Sequence, residues 1–168
     1  MAHTLSLRPV SPEDDAFLFA LYASTRPDIA ALPLGDVQRS AVMRMQWLAQ
    51  RHAYQMRYSH GSHQLVLLEG RPAGRLWVAD EPGELRLVDI SLLPEHRGAG
   101  IGTELLRTLL QEATAAGKPL RLSVARDNPA QRLYARLGFI SVDSADPTWD
   151  PYLVLEWRHR PREGEHGP

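Results

Sequence analysis

The chain has 168 residues, 43% apolar and 23% charged, with 19 basic against 20 acidic side chains and no cysteine. That length supports one globular core, and a net charge of −1 argues against a broad nucleic-acid or anionic-membrane footprint. Without cysteine there are no disulfides, thiolate metal sites or cysteine nucleophile. The basic set, 18 Arg and one Lys, points to a GC-rich bacterial gene. No apolar run reaches the ~18 to 20 residues of a membrane span. Met1–Thr4 also lacks the start of a secretory signal, so a cytoplasmic protein is the expectation.

Leu5 and Leu7 alternate with polar neighbours in a first strand ending at Arg8-Pro9. Ser11-Pro12-Glu13-Asp14 has capping-box chemistry and starts a helix through Phe17, Leu18, Leu21 and Tyr22. Pro27, Pro33 and Gly35 interrupt the chain. Asp36 caps a second helix carrying Val37, Ala41, Val42, Met45 and Leu48, which frays over residues 51–58. Leu65–Leu68 and Leu76–Ala79 then read as strands joined by a turn at 69–72, and Glu84–Leu93 as a longer one. A helix over about 100–116 closes at Gly117 and Pro119. Leu120–Ala125 is a strand, Pro129–Leu137 a short helix, and Phe139–Val142 and Tyr152–Trp157 are two last strands. Trp149 and Trp157 are assigned to packing and the sheet edge. Residues 1–158 read as one domain and 159–168 as a disordered tail.

The informative segment runs from Asp89 to Leu106: a strand, a glycine-rich turn, then an amphipathic helix with Ile101, Leu105, Leu106, Leu109 and Leu110 on its buried face. Glycines at 98, 100 and 102 permit a tight turn and close approach of a ligand. The unpaired amides of the helix start, with its dipole, form an anion site suited to a pyrophosphate. A Walker loop needs Gly-Lys-Ser/Thr, whereas Thr103 and Glu104 follow Gly102. A dinucleotide fingerprint counted from Gly98 needs glycine where Thr103 stands, and belongs early in a βαβ unit. Arg97-x-x-Gly100-x-Gly102 after a strand instead resembles the coenzyme A loop of the GNAT N-acetyltransferase superfamily. Asp127-Asn128-Pro129-Ala130 with Leu133-Tyr134-Ala135-Arg136-Leu137-Gly138-Phe139 is similar to that family's second signature. The order of elements over roughly residues 4–158 resembles the whole GNAT fold, a mixed α/β architecture with a splayed sheet of about seven strands and about four helices.

The resemblance implies roles residue by residue. Backbone groups of Leu92 and Leu93 would pair with the pantetheine amides as an added strand, with a bulge near Ser91-Leu92 parting the sheet. Amides from Gly98, Ala99, Gly100, Ile101, Gly102 and Thr103 would hold the pyrophosphate, with Arg97 at the rim, and Asn128 would contact the pantetheine arm. Tyr134 would protonate the departing thiolate, unless it only packs beside Leu133 and Leu137. By strand alternation Asp89 and Ser91 share a face and are expected to project toward the cleft, Ser91 as a substrate contact. Asp89 stands where related enzymes carry an acid that binds or deprotonates the amine; Glu84 or a water chain are the alternatives, and pairing of Asp89 with Arg75 or Arg86 is the structural one. His52, Tyr54 and Tyr58 are candidate walls of the acceptor site. The spacing of His52, His60 and His63 matches no compact ligand pattern, so no metal is expected and these are read as surface or substrate-loop histidines.

The implied activity is direct transfer of acetyl from acetyl-CoA to a primary amine of a small molecule or peptide. Attack through an oxygen acceptor would differ only in the acceptor pocket. The alternative from a different class is a non-catalytic CoA-binding sensor or interaction module on the same scaffold. Acetyl-CoA and the amine are the expected partners, without nucleic acid or membrane, and a homodimer is compatible with the family.

Overall fold

The computed structural model describes residues 3–142 and 151–161. In chain order it contains β1 (Leu5–Pro9), α1 (Asp15–Ser24), α2 (Pro27–Ala30), α3 (Asp36–Arg57), β2 (Ser62–Leu68), β3 (Arg71–Glu81), β4 (Glu84–Leu92), α4 (Ile101–Ala116), β5 (Leu120–Ala125), α5 (Gln131–Leu137), β6 (Ile140–Val142) and β7 (Tyr152–Trp157). Among the described residues seven strands form a mixed sheet hydrogen-bonded in the order β1-β2-β3-β4-β5-β7-β6. The β4–β5 pair is parallel; β1–β2, β2–β3, β5–β7 and β6–β7 are antiparallel. Among the described residues no helix is long and apolar enough to cross a membrane. Trp149 and most of the expected tail lie outside the described residues.

The chain divides into two compact units, Met1–Ala79 with Val88–Gly102 and Asp80–Leu87 with Thr103–Pro168. In the first, Leu18 and Tyr22 of α1, Ile29 of α2, Met43 and Trp47 of α3 and Leu65 of β2 are buried together. The Phe19 and Trp47 rings lie 5.4 Å apart. At the entry to α1, the Asp14 carboxylate accepts hydrogen bonds from Arg8 and from the Ser11 amide at 2.8 Å. Those bonds hold Asp14 down to about 2, the Arg8 contact contributing most. In β1 only Leu5 and Arg8 are half-buried and Leu7 is exposed, so the expected burial of both leucines is not seen.

In the second unit, Leu105, Leu106, Leu109 and Ala113 of α4 are buried, as are Leu120, Leu122 and Val124 of β5. Burial of alternate β5 residues is the signature of a strand covered on one face. Leu110 is only half-buried. The buried Glu156 would be raised by burial alone, but hydrogen bonds from Arg158 and Arg121 hold it below the usual carboxylate range. β7 lies between β5 and β6, but Trp157 pairs only with Leu120 of β5, one residue past the last β6 pair at Glu156, and its indole packs against Gly138.

Several expected boundaries move. The cap of α3 is Gly35, and Asp36 is its first helical residue, where a carboxylate still favours the dipole. The helix does not fray at 51; it continues to Arg57, because Tyr54 packs edge-on against Trp77 at 5.5 Å. A four-residue helix, α2, occupies the stretch read as an interruption. β2 and β3 are both longer than their apolar cores. β3 absorbs Pro72 and Gly74, with a register shift opposite Val66/Leu67.

Gly74 is required by space rather than by backbone angle. A Cβ there would lie 2.1 Å from the Ser91 carbonyl oxygen and 2.8 Å from a Leu92 methyl. Just beyond, the Leu93 amide donates to Ala73 O at 2.8 Å. Gly74→Ala is therefore expected to cost about 1–3 kcal/mol in urea unfolding. At Gly83 a Cβ meets nothing within 4 Å, and Gly83→Ala is expected to stay within about 0.5 kcal/mol. Equal effects at the two positions would show that β3 and β4 do not need this approach.

Candidate functional site

β4 leads through a 3-10 turn at Pro94–His96 into the glycine segment and the first turn of α4. Gly98 and Gly100 have φ of 76° and 82°, a region that side chains disfavour. A Cβ at Gly98, Gly100 or Gly102 would meet no protein atom within 4 Å. Space in front of this loop is thus open, and the first amides of α4 have no intrahelical acceptor. Arg97 Nε donates to Leu92 O at 2.9 Å and one of its terminal nitrogens to Ser24 Oγ at 3.2 Å.

The backbone of Leu92 and Leu93 is largely engaged. Leu92 O accepts from Arg97, Leu93 N–H donates to Ala73 O, and Leu93 O accepts from the His96 amide at 2.9 Å. Parallel pairing of β4 to β5 covers Leu85, Leu87 and the residue between them, while β4 itself runs on to Leu92.

On the first unit a polar cluster surrounds Asp89. Its Oδ2 accepts from Arg75 Nε and from Ser91 Oγ at 2.9 Å. Arg75 is only 5% exposed; it also donates to Gln50 Oε1 of α3 at 2.9 Å and lies 5.9 Å from the centre of the Trp77 ring. Burying a guanidinium is tolerable because the charge is paired with Asp89 and a second donor is taken up by Gln50. The Arg75 pairing weighed from the sequence is therefore the observed arrangement of Asp89. Trp77 in turn stacks on His63 at 4.1 Å and meets Tyr54 edge-on.

The structure thus draws Asp89, Ser91 and Tyr54 into one cluster through Arg75 and Trp77. Tyr58 is half-buried just past α3, with Arg57 over its ring at 5.5 Å. His52 is exposed, on the side of α3 away from Tyr54. His63 is neither a surface nor a loop histidine, since it lies in β2 with its Nε2 shielded from solvent. Gln50 and Trp77 carried no motif; the alternation of Arg75 and Trp77 was the one available signal, hidden by reading the start of β3 as turn.

In the second unit, Asn128 Oδ1 accepts the Ala130 amide at 2.9 Å, which folds the chain into α5. Tyr134 is buried on α5, its ring 5.5 Å from Phe139 in a T-shaped contact. Gly138, at φ 99°, ends the helix.

Burial pushes the His63 imidazole down to about 4, and the charge of Arg75 adds to this. As pH falls the unfolded chain therefore binds the proton first. The stability that neutral His63 contributes is complete above about 6.5 and is lost between 6.5 and about 4. His63→Phe, which keeps the stacked ring, is expected to flatten the dependence of the urea midpoint on pH across that window. An unchanged slope in the variant would assign the dependence to another group.

Comparison with known proteins follows the same lines. The family model described as acetyltransferase (GNAT) family matches residues 29–139. Over 63 residues the chain is 40% identical to the cysteine-rich protein 2-binding protein of Homo sapiens; the segment is 38% of this chain and 8% of that protein. Among solved structures, the PaiA N-acetyltransferase of Thermoplasma acidophilum in complex with coenzyme A is 18% identical, with a TM-score of 0.68 over 93% of this chain and 99% of that one. An acetyltransferase from Thermus thermophilus is 21% identical, TM-score 0.63, over 93% and 97%. The ribosomal-protein-S18-alanine N-acetyltransferase of Escherichia coli is 18% identical, TM-score 0.61, over 92% and 94%.

Proposed function

The chain belongs to the GNAT acetyltransferase family, and from that premise we propose that it moves an acetyl group from acetyl-CoA directly to a primary amine of a small molecule or peptide, residues 1–158 acting as one domain. The observation that carries this reading is the loop. Gly98 and Gly100 turn left-handed into open space where a strand meets the start of a 16-residue helix. Amides of Gly98 through Thr103 would hold the cofactor's pyrophosphate, since they combine unpaired donors with the positive end of the α4 dipole. Arg97 would support them indirectly by fixing the Leu92 carbonyl. Carbonyl oxygens carry two lone pairs, so Leu92 and Leu93 O can each accept a second bond from the pantetheine arm, with Asn128 as a further contact.

Bound acetyl-CoA supplies a thioester. The protein must present a neutral amine to it, and an alkyl amine of pKa near ~10.4 is almost wholly protonated at pH 7. Asp89, tied to Arg75 and Ser91, suits orienting that amine or a water beside it better than abstracting the proton itself. Tyr54 and Tyr58 would line the acceptor side. Tyr134 would donate its phenolic proton to the leaving thiolate. With no cysteine in the chain, a cysteinyl-acyl step is excluded, which leaves direct transfer as the simplest route.

Calorimetry with CoA and a CoA-release assay over an amine panel test these roles. Gly102→Val has no left-handed φ to violate, and its added Cβ meets no protein atom within 4 Å; it is expected to weaken CoA binding at least about ten-fold, ~1.4 kcal/mol. Unchanged CoA affinity in the folded variant would refute the loop assignment. Tyr134→Phe is expected to slow turnover by about 10²-fold with little change in acetyl-CoA affinity, and full turnover would remove its acid role. CoA binding without release for any amine would favour the sensor reading.

A further inference from the structure

α3 has a second apolar stripe, on the side away from the buried Met43 and Trp47. Val37, Ala41, Met45, Leu48, His52 and Met56 recur at intervals of four, four, three, four and four residues, which at 3.6 residues per turn places them along one side. Val37 is 84% exposed, Met45 62%, Leu48 48% and Met56 72%; Ala41 and His52 are exposed as well. None of the six is an acid, a lysine or an arginine. Of the four guanidiniums on α3, two are drawn toward α1: Arg44 sits 4.5 Å from the Phe19 ring centre, and Arg51 pairs with Asp15 at 3.2 Å; Arg39 pairs with Asp36, and Arg57 lies over the Tyr58 ring. A solvated helix face normally carries charge, and this stripe carries none.

We infer that the stripe is a homodimer seam, on which α3 of a second copy of this chain packs antiparallel. The register argues for a second copy. The six positions are symmetric about the point between Gln46 and Trp47. A two-fold axis there sets Val37 against Met56 of the other copy, Ala41 against His52 and Met45 against Leu48, so that each small or branched side chain meets a longer one. A two-fold interface requires such a self-complementary patch, whereas an unrelated partner imposes no symmetry on it. Antiparallel helices also set their dipoles favourably. A helix of 22 residues is about 33 Å long, and two laid side by side reach the small end of specific interfaces, about 1,000 Å² in total. The dimer therefore dissociates on dilution.

Light scattering on the full chain from about 1 μM to about 1 mM, a range that brackets a dissociable complex, is expected to show the mass rising from 18.8 kDa toward twice that value. The double variant Met45→Glu, Leu48→Glu changes two exposed side chains and is expected to remain monomeric throughout, with unchanged circular dichroism. A wild-type mass fixed at 18.8 kDa overturns the seam, and so does a dimer that survives the double variant. The absence of cysteine allows the register to be read directly. An oxidised mixture of Ala41→Cys and His52→Cys proteins is expected to give mainly the mixed disulfide. Predominant homodisulfides, or no cross-link, would overturn the antiparallel pairing.

Discussion

The approach of β3 to β4 at Gly74 governs the first unit. Because no side chain projects from Gly74, the Ser91 carbonyl and Leu92 occupy the space where a Cβ would be. The hydrogen bond from Leu93 N–H to Ala73 O then closes the end of the strand. Strand register has a period of two, so a shift of one residue would turn every β4 side chain to the opposite face. Fixing Ser91 against Gly74 therefore also fixes Asp89 toward Arg75. It further determines where Pro94 takes the chain out of the sheet and into the glycine loop. The loop's open amides and the polar cluster beside them are two consequences of one steric constraint.

That cluster is costly to assemble and for this reason is well defined. A guanidinium as buried as that of Arg75 is tolerated only where partners replace its water, and they come from β4 and α3. Asp89 neutralises the charge, Gln50 uses a further donor and the Trp77 ring covers the remaining face. Removing one partner would leave a desolvated charge, a larger penalty than the pair itself contributes. The carboxylate at Asp89 is thereby positioned by residues well separated in sequence, and a helix from the N-terminal half is tied to the strand that precedes the loop.

How much of this the sequence revealed depends on how local the signal was. The glycine loop, α4 with Leu105, Leu106 and Leu109, and the Gly138 stop are set by neighbours within a few residues and could be read directly. β3 could not, because Pro72 and Gly74 are breakers by any local rule. Here the proline falls at a register shift and the glycine at a close strand crossing, both of which depend on partners distant in sequence. His63 belongs to the same class. Nothing adjacent to it announces Trp77, yet the stacked indole turns an apparent loop histidine into a strand residue. The Gln50–Arg75 bond joins residues 25 apart, and no spacing rule would find it.

α3 shows the same limit most sharply. When residues 51–58 are read as a frayed segment, His52, Tyr54 and Tyr58 form a plausible common wall. In a continuous helix, residues two apart point some 200° away from each other at 3.6 residues per turn. His52 and Tyr54 therefore cannot serve one surface. Tyr54 follows Met43, Trp47 and Gln50 to the inner side, where it meets Trp77; His52 follows Val37, Met45 and Leu48 outward. The extension of one helix by two turns thus separates what composition had grouped. It turns Tyr54 toward Trp77 and leaves His52 among the exposed apolar residues of the opposite side.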